Sequence, residues 1–234
     1  MPDNTTRRKS GITSITQAPT ILMTNQTIML LKPMLSKSTS VLNAFKHRKT
    51  IREISDRKLP LQTLSDLLWT ACGVNRKKGP FGITGRTAAT ASNSQEIDLY
   101  VALEEGIYLY NPLQHCLVMK VAGDLRSLAI GHGQVNFGDK APVRLIYVAD
   151  INKLVNTAGY QEPGLMNPEV QKSYYFVDTG LIAGNVYLFA ATYGLASWFH
   201  NCDRQALAKK LKLTDDQRVL FGQTVGFKAG IKSN

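Results

Sequence analysis

Apolar residues return at helical spacing in Leu61, Leu64, Leu67, Leu68 and Ala71, directly after Pro60. This spacing predicts an amphipathic helix, and proline suits its start because a helix leaves its first N–H groups unpaired anyway. Gly73 ends it, and Gly79-Pro80-Phe81-Gly82 with Gly85 marks a loop. Beyond the loop the pattern changes to strands. Ile97–Leu103, Gly106–Tyr110 and Leu117–Val121 carry the β-branched and aromatic residues that strands prefer, and Asn111-Pro112 turns the chain between the last two. Asp124–Ile130 reads as a short helix and Val143–Ala149 as a further apolar strand. Pro168–Tyr193 is the longest predicted helix, and Asp203–Leu211 is amphipathic with Asp203 as its cap. Thr214-x-x-Gln217 has capping-box form, and Val219–Phe227 closes the core as a strand. A short helix over Ser40–Phe45 opens the folded region, which starts near residue 38.

From Thr179 to His200 there is no Asp, Glu, Lys or Arg, a run long enough to raise a membrane span. Asn185, Thr192, Gly180, Gly184 and Gly194 interrupt it, and no Lys/Arg cluster flanks both ends. A helix apolar nearly all round can instead be buried on every side. Gly180-x-x-x-Gly184, with Ala183, lets another helix approach closely, so the segment is expected in a subunit interface and no membrane partner is expected. Residues 1–37 read as a flexible leader and N-terminal extension, and 38–234 as one domain. Ile21-Leu22-Met23 is too short for a secretory segment, and Lys32-Pro33 cuts off Ile28-Met29-Leu30-Leu31, so a cytoplasmic location is expected.

Charge changes the picture more than composition does. The apolar and charged fractions, 44% and 19%, are ordinary for a globular protein, but the net charge of +11 directs attention to anionic partners. The excess gathers in residues 1–60, where Lys and Arg face only Asp3, Glu53 and Asp56. No recognition helix, zinc-finger spacing or aromatic RNA-stacking motif accompanies it, so nucleic acid is not the expected partner. Cys72, Cys116 and Cys202 form no Cys-x-x-Cys, and no pair of histidines falls at metal-ligand spacing on one predicted helix. Neither a disulfide framework nor a metal site is predicted.

Two polar clusters carry candidate chemistry. Lys46-His47-Arg48-Lys49-Thr50-Ile51-Arg52-Glu53 offers cations and a hydroxyl to a phosphate dianion, at roughly 1.5–3 kcal/mol for each charge-assisted hydrogen bond. A solvated basic face is the plain alternative. Ser92-Asn93-Ser94-Gln95 is uncharged and runs straight into a strand; an Asx-turn is the plain alternative there.

Over residues 38–228 the chain resembles the nitroreductase-like FMN-dependent oxidoreductases, most of all the branch with the thiazole- and oxazole-forming dehydrogenases. Three segments carry the resemblance. Residues Asn43–Ile54 look like the family's opening motif of two basic residues, a hydroxyl, any residue and a basic residue. Ala89-Thr90-Ala91-Ser92-Asn93-Ser94-Gln95 resembles its loop ending in Asn-x-Gln before a strand. Asp178-Thr179-Gly180 through Ala183, Asn185 and Leu188, continuing to Gly194-Leu195 and Trp198, resembles its long interface helix.

The resemblance implies an α+β fold, a mostly antiparallel sheet wrapped by helices, in an intertwined homodimer with FMN at the subunit interface. It assigns Arg48, Lys49 and Thr50 to the FMN phosphate and Arg52 to the N1/O2 edge of the flavin, where a fixed cation tunes the reduction potential. Ala91, Ser92 and Asn93 match the loop that reaches the flavin from the other subunit, and Gln134 an amide near the pyrimidine edge. The backbone around Phe199, His200 and Asn201 matches a turn offering an N–H to N5, with His200 as the candidate proton donor beside a structural alternative. The chain departs from the pattern in Ala89-Thr90, where Pro-Ser is usual, in the bulk of His200-Asn201, and after Lys228, which replaces part of a longer basic tail. The activity implied is ping-pong transfer from NADH or NADPH through FMN to a small-molecule acceptor such as a nitroaromatic or quinone. No G-x-G-x-x-G follows a strand, which fits a single shared site. The alternatives are an azoline dehydrogenase acting on a peptide with FMN and oxygen, and a non-catalytic basic protein that binds nucleic acid.

Overall fold

The computed structural model describes residues 23–24, 27–34, 40–134, 141–158 and 163–230. Its centre is an eight-stranded sheet with every neighbouring pair antiparallel. In chain order the strands are β1 (Met23–Thr24), β2 (Thr27–Met29), the separate two-stranded pair β3 (Val74–Arg76) and β4 (Gly85–Arg86), then β5 (Ile97–Ala102), β6 (Gly106–Asn111), β7 (Cys116–Ala122), β8 (Val143–Asp150), β9 (Ala196–His200) and β10 (Gln217–Gly226). The order across the large sheet is β1-β2-β7-β6-β5-β8-β10-β9. The helices are α1 (Val41–His47), α2 (Leu61–Cys72), α3 (Ile151–Val155), α4 (Pro168–Thr192) and α5 (Arg204–Leu211). The expected α+β architecture is therefore the observed one.

The two central strands explain the layers. β5 and β8 are apolar at successive positions because both of their faces are covered. Leu99, Val101, Leu145 and Tyr147 point to one side, against Leu64, Leu67, Leu68 and Ala71 of α2 and Val186 and Ala190 of α4. Tyr100, Ala102, Ile146 and Val148 point to the other, against Ala129 and Leu207. Leu67 and Leu68 are wholly buried, and each such side chain contributes roughly 1.5–3 kcal/mol by leaving water. Gly73 is required at the end of α2, because a Cβ there would meet Trp69 at 2.5 Å.

Four expectations change. The folded part begins before residue 38: β2 pairs with β7, Leu30 is buried, and the Leu31 and Met34 N–H groups donate to Ser65 and Asp66 of α2 at 2.9 Å. The rest of the expected leader, residues 1–22, 25–26 and 35–37, lies outside the described residues. Asp124–Ile130 contains only a 3-10 turn over Arg126–Ala129. Thr214 and Gln217 bond reciprocally, with the Thr214 N–H donating to Gln217 Oε1 at 3.2 Å, but a strand follows and not a helix. Phe199 and His200 belong to strand β9, where a turn was expected.

Candidate functional site

The cationic segment starts as the end of α1. Ser40 caps that helix by accepting the Asn43 N–H, and the Arg48 N–H closes it on the Ala44 carbonyl at 2.9 Å. Beyond Arg48 the backbone is extended and tied to two neighbours. The Ile51 N–H donates to the Ser197 carbonyl at 3.0 Å, on the edge of β9, and Ile54 bridges Lys228. The Ala229 N–H donates to the Glu53 carbonyl at 2.9 Å. These bonds bring Lys228 to Lys49 and Thr50 across about 180 residues of sequence. Together with Ile51, Glu53, Ala229 and Gly230 they line an open cleft of about 680 Å³.

Tyr187 of α4 organises the same region, and nothing in the sequence singled it out. Its hydroxyl meets Thr50 Oγ1 at 3.1 Å and accepts the Phe199 N–H at 2.9 Å, while the Arg48 guanidinium lies 5.6 Å from its ring centre. The guanidinium of Arg52 lies 5.4 Å from the Trp198 ring. Among the described residues no carboxylate forms an ion pair with Arg48, Lys49, Arg52 or Lys228. Arg48, Lys49 and Lys228, exposed and without carboxylate partners among the described residues, suit a phosphate ligand and so fit the phosphate end of FMN. A second cavity, of about 560 Å³, lies at the start of α2 between Asp56, Glu105 and Arg126, and no expected site residue lines it.

Ala91, Ser92 and Asn93 form a 3-10 turn at a different station on α4. The Ala91 N–H donates to Asp178 Oδ2 at 2.9 Å, whereas Arg48 sits at Tyr187, about 13 Å further along the helix at 1.5 Å per residue. Within one protomer the two clusters do not share the cleft. Ser92, Asn93 and Gln95 all have positive φ (48°, 58° and 53°), a conformation costing on the order of 1–3 kcal/mol for each such residue. The loop is held by its own amides: Gln95 Nε2 donates to Asn93 Oδ1 at 2.9 Å and to the Thr84 carbonyl at 2.6 Å, and Asn93 Nδ2 donates to Thr84 at 3.3 Å. Beneath it Glu96 and Asp178, both buried, carry acid groups raised above the ordinary carboxyl range, Glu96 to about 8. Burial is the main cause for each, and for Glu96 the charge of Asp178 adds to it.

The surroundings of His200 fit the structural alternative. Its ring is buried, Nδ1–H donates to the Asn201 carbonyl at 2.8 Å, and Nε2 accepts the Thr224 hydroxyl at 2.7 Å. Burial pushes its pKa down to about 4, so the ring is neutral with both nitrogens engaged. Gly222 makes room for it, since a Cβ there would stand 2.7 Å from the ring. The Phe199 N–H is taken by Tyr187 and is not free for a ligand. Asn201 is exposed just past β9, and Gln134 lies beside it: both border Gly131, and Gln134 Oε1 is buried with no hydrogen-bond partner among the described residues.

A model described as the nitroreductase family matches residues 45–227. The chain belongs to the nitroreductase family. A crystal structure of a Ralstonia eutropha protein, provisionally named a nitroreductase, is 32% identical with a TM-score of 0.74, covering 92% of this chain and 96% of that one. A Methanocaldococcus jannaschii protein with a similar provisional name is 29% identical over 157 residues, 64% of this chain and 72% of its own length. A chain of the Escherichia coli microcin synthetase McbBCD complex, with truncated pro-MccB17 bound, has a TM-score of 0.62 over 95% of this chain and 85% of that one; at 15% identity it shows the fold alone. Membership makes this nitroreductase-family chain an oxidoreductase of a family that generally uses flavin. Among the described residues no helix is long and apolar enough to cross a membrane.

Proposed function

We propose that this protein is an FMN-dependent oxidoreductase working as a homodimer, taking electrons from NADH or NADPH and passing them to a nitroaromatic, quinone or related acceptor. The observation that carries the reading is the cleft where Lys49, Thr50 and Lys228 meet beside Arg48, with no carboxylate ion-paired to these cations among the described residues. Bound FMN would supply the redox chemistry, two-electron exchange with the nicotinamide in one half-cycle and with the acceptor in the other. The protein's part is to bind and orient. Arg48, Lys49, Thr50 and Lys228 would hold the phosphate, and Tyr187 fixes Arg48 and Thr50 relative to each other. Arg52, braced on Trp198, would set a positive charge at the flavin's pyrimidine edge, and Gln134 and Asn201 would be further polar contacts for the ring.

What a single protomer leaves uncovered supports the dimer. Val41, Leu42 and Phe45 of α1 and Phe176, Val177 and Leu181 of α4 are exposed, Leu42 to 75%. A Cβ on Gly180 or Gly184 would meet nothing within 4 Å, so that side of α4 is open to a second helix, while Ala183 packs inward. An apolar face of this extent on a soluble surface marks a partner site. A twin docked there brings its Ala91–Asn93 turn toward the cationic cleft, completing a site that one chain holds only in part.

The experiment is simple. Purified protein should be yellow, and its flavin absorbance should bleach anaerobically on adding NADPH or NADH and return on adding an acceptor. Colourless protein that takes up no FMN overturns the reading. Colour that neither nicotinamide bleaches overturns the reductase assignment and favours the peptide azoline dehydrogenase.

A further inference from the structure

Glu96 and Asp178 form a buried carboxyl pair that none of the roles above uses. Glu96 lies just before β5 and is fully buried, and Asp178 on α4 is 4% exposed. Two carboxylates do not remain charged together in such a place, because burial and mutual repulsion both favour the neutral acid. Each carboxyl raises the other's cost of ionising, so the two hold a proton more tightly than ordinary carboxyls and titrate as a unit.

Among the described residues the nearby cations are engaged elsewhere. Arg86 donates to Gln95 Oε1 at 2.6 Å and to the Cys72 carbonyl at 3.1 Å, and Lys153 of α3 pairs with Asp98 at 2.5 Å. What acts on the pair is the Ala91 N–H, the Ser94 hydroxyl and the N–H of Glu96 itself. These contacts fall at the two ends of the strained loop. Asp178 Oδ2 receives the Ala91 N–H at 2.9 Å, and Glu96 Oε2 receives the Ser94 hydroxyl at 2.6 Å. Between them lie Ser92 and Asn93, both in the left-handed region. Glu96 Oε1, buried with no hydrogen-bond partner among the described residues, is where the retained proton belongs.

We propose that Glu96 and Asp178 act as one protonated unit that fastens the Ala91–Gln95 loop to α4. They are positioning residues and touch no cofactor. Loss of the shared proton leaves two facing carboxylates, which repel and release both ends of the loop. The consequence for FMN rests on the function proposed above, whereas the order of the loop does not.

The test therefore reads both. Hydrogen exchange of the full-length protein, followed by mass spectrometry from about pH 5 to about pH 9.5 and corrected for intrinsic rates, reports protection of the loop. In the wild type, protection should fall by up to about tenfold per pH unit as pH rises toward the pair's titration and level off above it, and FMN affinity should follow the same curve. Glu96→Gln keeps a donor facing Asp178 but cannot ionise, so its loop should stay protected and its FMN affinity level over that range. Glu96→Ala should lose protection at every pH. A wild-type loop whose protection is flat with pH, or a Glu96→Gln protein that keeps the wild-type break, overturns the proposal. Exchange that behaves as expected in a protein binding no FMN upholds the pair and removes only the cofactor reading.

Discussion

His200 gives a test in which catalysis and structure predict opposite outcomes. Its pKa, about 4 in the fold, lies below the ordinary 6.5 of the unfolded chain. Between those values the unfolded state takes up a proton that the folded state refuses, so stability is fully present above the unfolded pKa and is lost as pH falls through the folded one. The shift corresponds to about 3 kcal/mol in all, with about 2 kcal/mol already lost at about pH 5. Replacing His200 by Gln removes this term, because the amide can still meet Thr224 but does not titrate. Urea unfolding of both proteins at about pH 7.5 and about pH 5 measures the difference. The substituted protein should lose less stability on acidification by about 2 kcal/mol, whatever its stability at neutral pH. Turnover of folded His200→Gln should remain within a few-fold of wild type. Equal acid losses in the two proteins would refute the buried neutral ring, and a collapse of turnover in a folded variant would restore His200 to the chemistry.

Three further outcomes follow from the site and the surface. Arg48→Ala should weaken FMN about ten- to hundredfold, the loss of one charge-assisted hydrogen bond, as read by fluorescence titration. Arg52→Ala should lower the flavin reduction potential with less effect on binding, as measured by equilibration with a reference dye. Leu181→Asp places a charge on the exposed face of α4 and should yield monomers in sedimentation, with FMN affinity lost in parallel. An undiminished dimer would move the interface elsewhere.

How much of this was legible in the chain depended on whether the signal was local. The period of α2, the apolar runs of β5 and β8 and the long α4 follow from burial patterns a few residues wide, and the structure places them within a residue or two of the expectation. β9 escaped because Ala196–His200 follows a glycine closely and its edge is paired by the Ile51 segment and Tyr187, partners distant in sequence. β2 escaped for a similar reason: three residues make a strand only because β7 is there to receive them. In the site, the cationic run was visible as chemistry, but Tyr187 looked like one more aromatic residue in an apolar helix. The only hint was a polar tip near Asn185, in a stretch otherwise without charge. Glu96 and Asp178 could not be read as a pair, since 82 positions separate them and only the packing of β5 on α4 makes them neighbours.

The central claim is that this protein grips its cofactor by the phosphate. Parallel titrations with FMN and with riboflavin, which shares the ring system and lacks the phosphate, address it directly. Two or more charge-assisted contacts from Arg48, Lys49 and Lys228 predict FMN at least about a hundredfold tighter. Equal affinities for the two would contradict it.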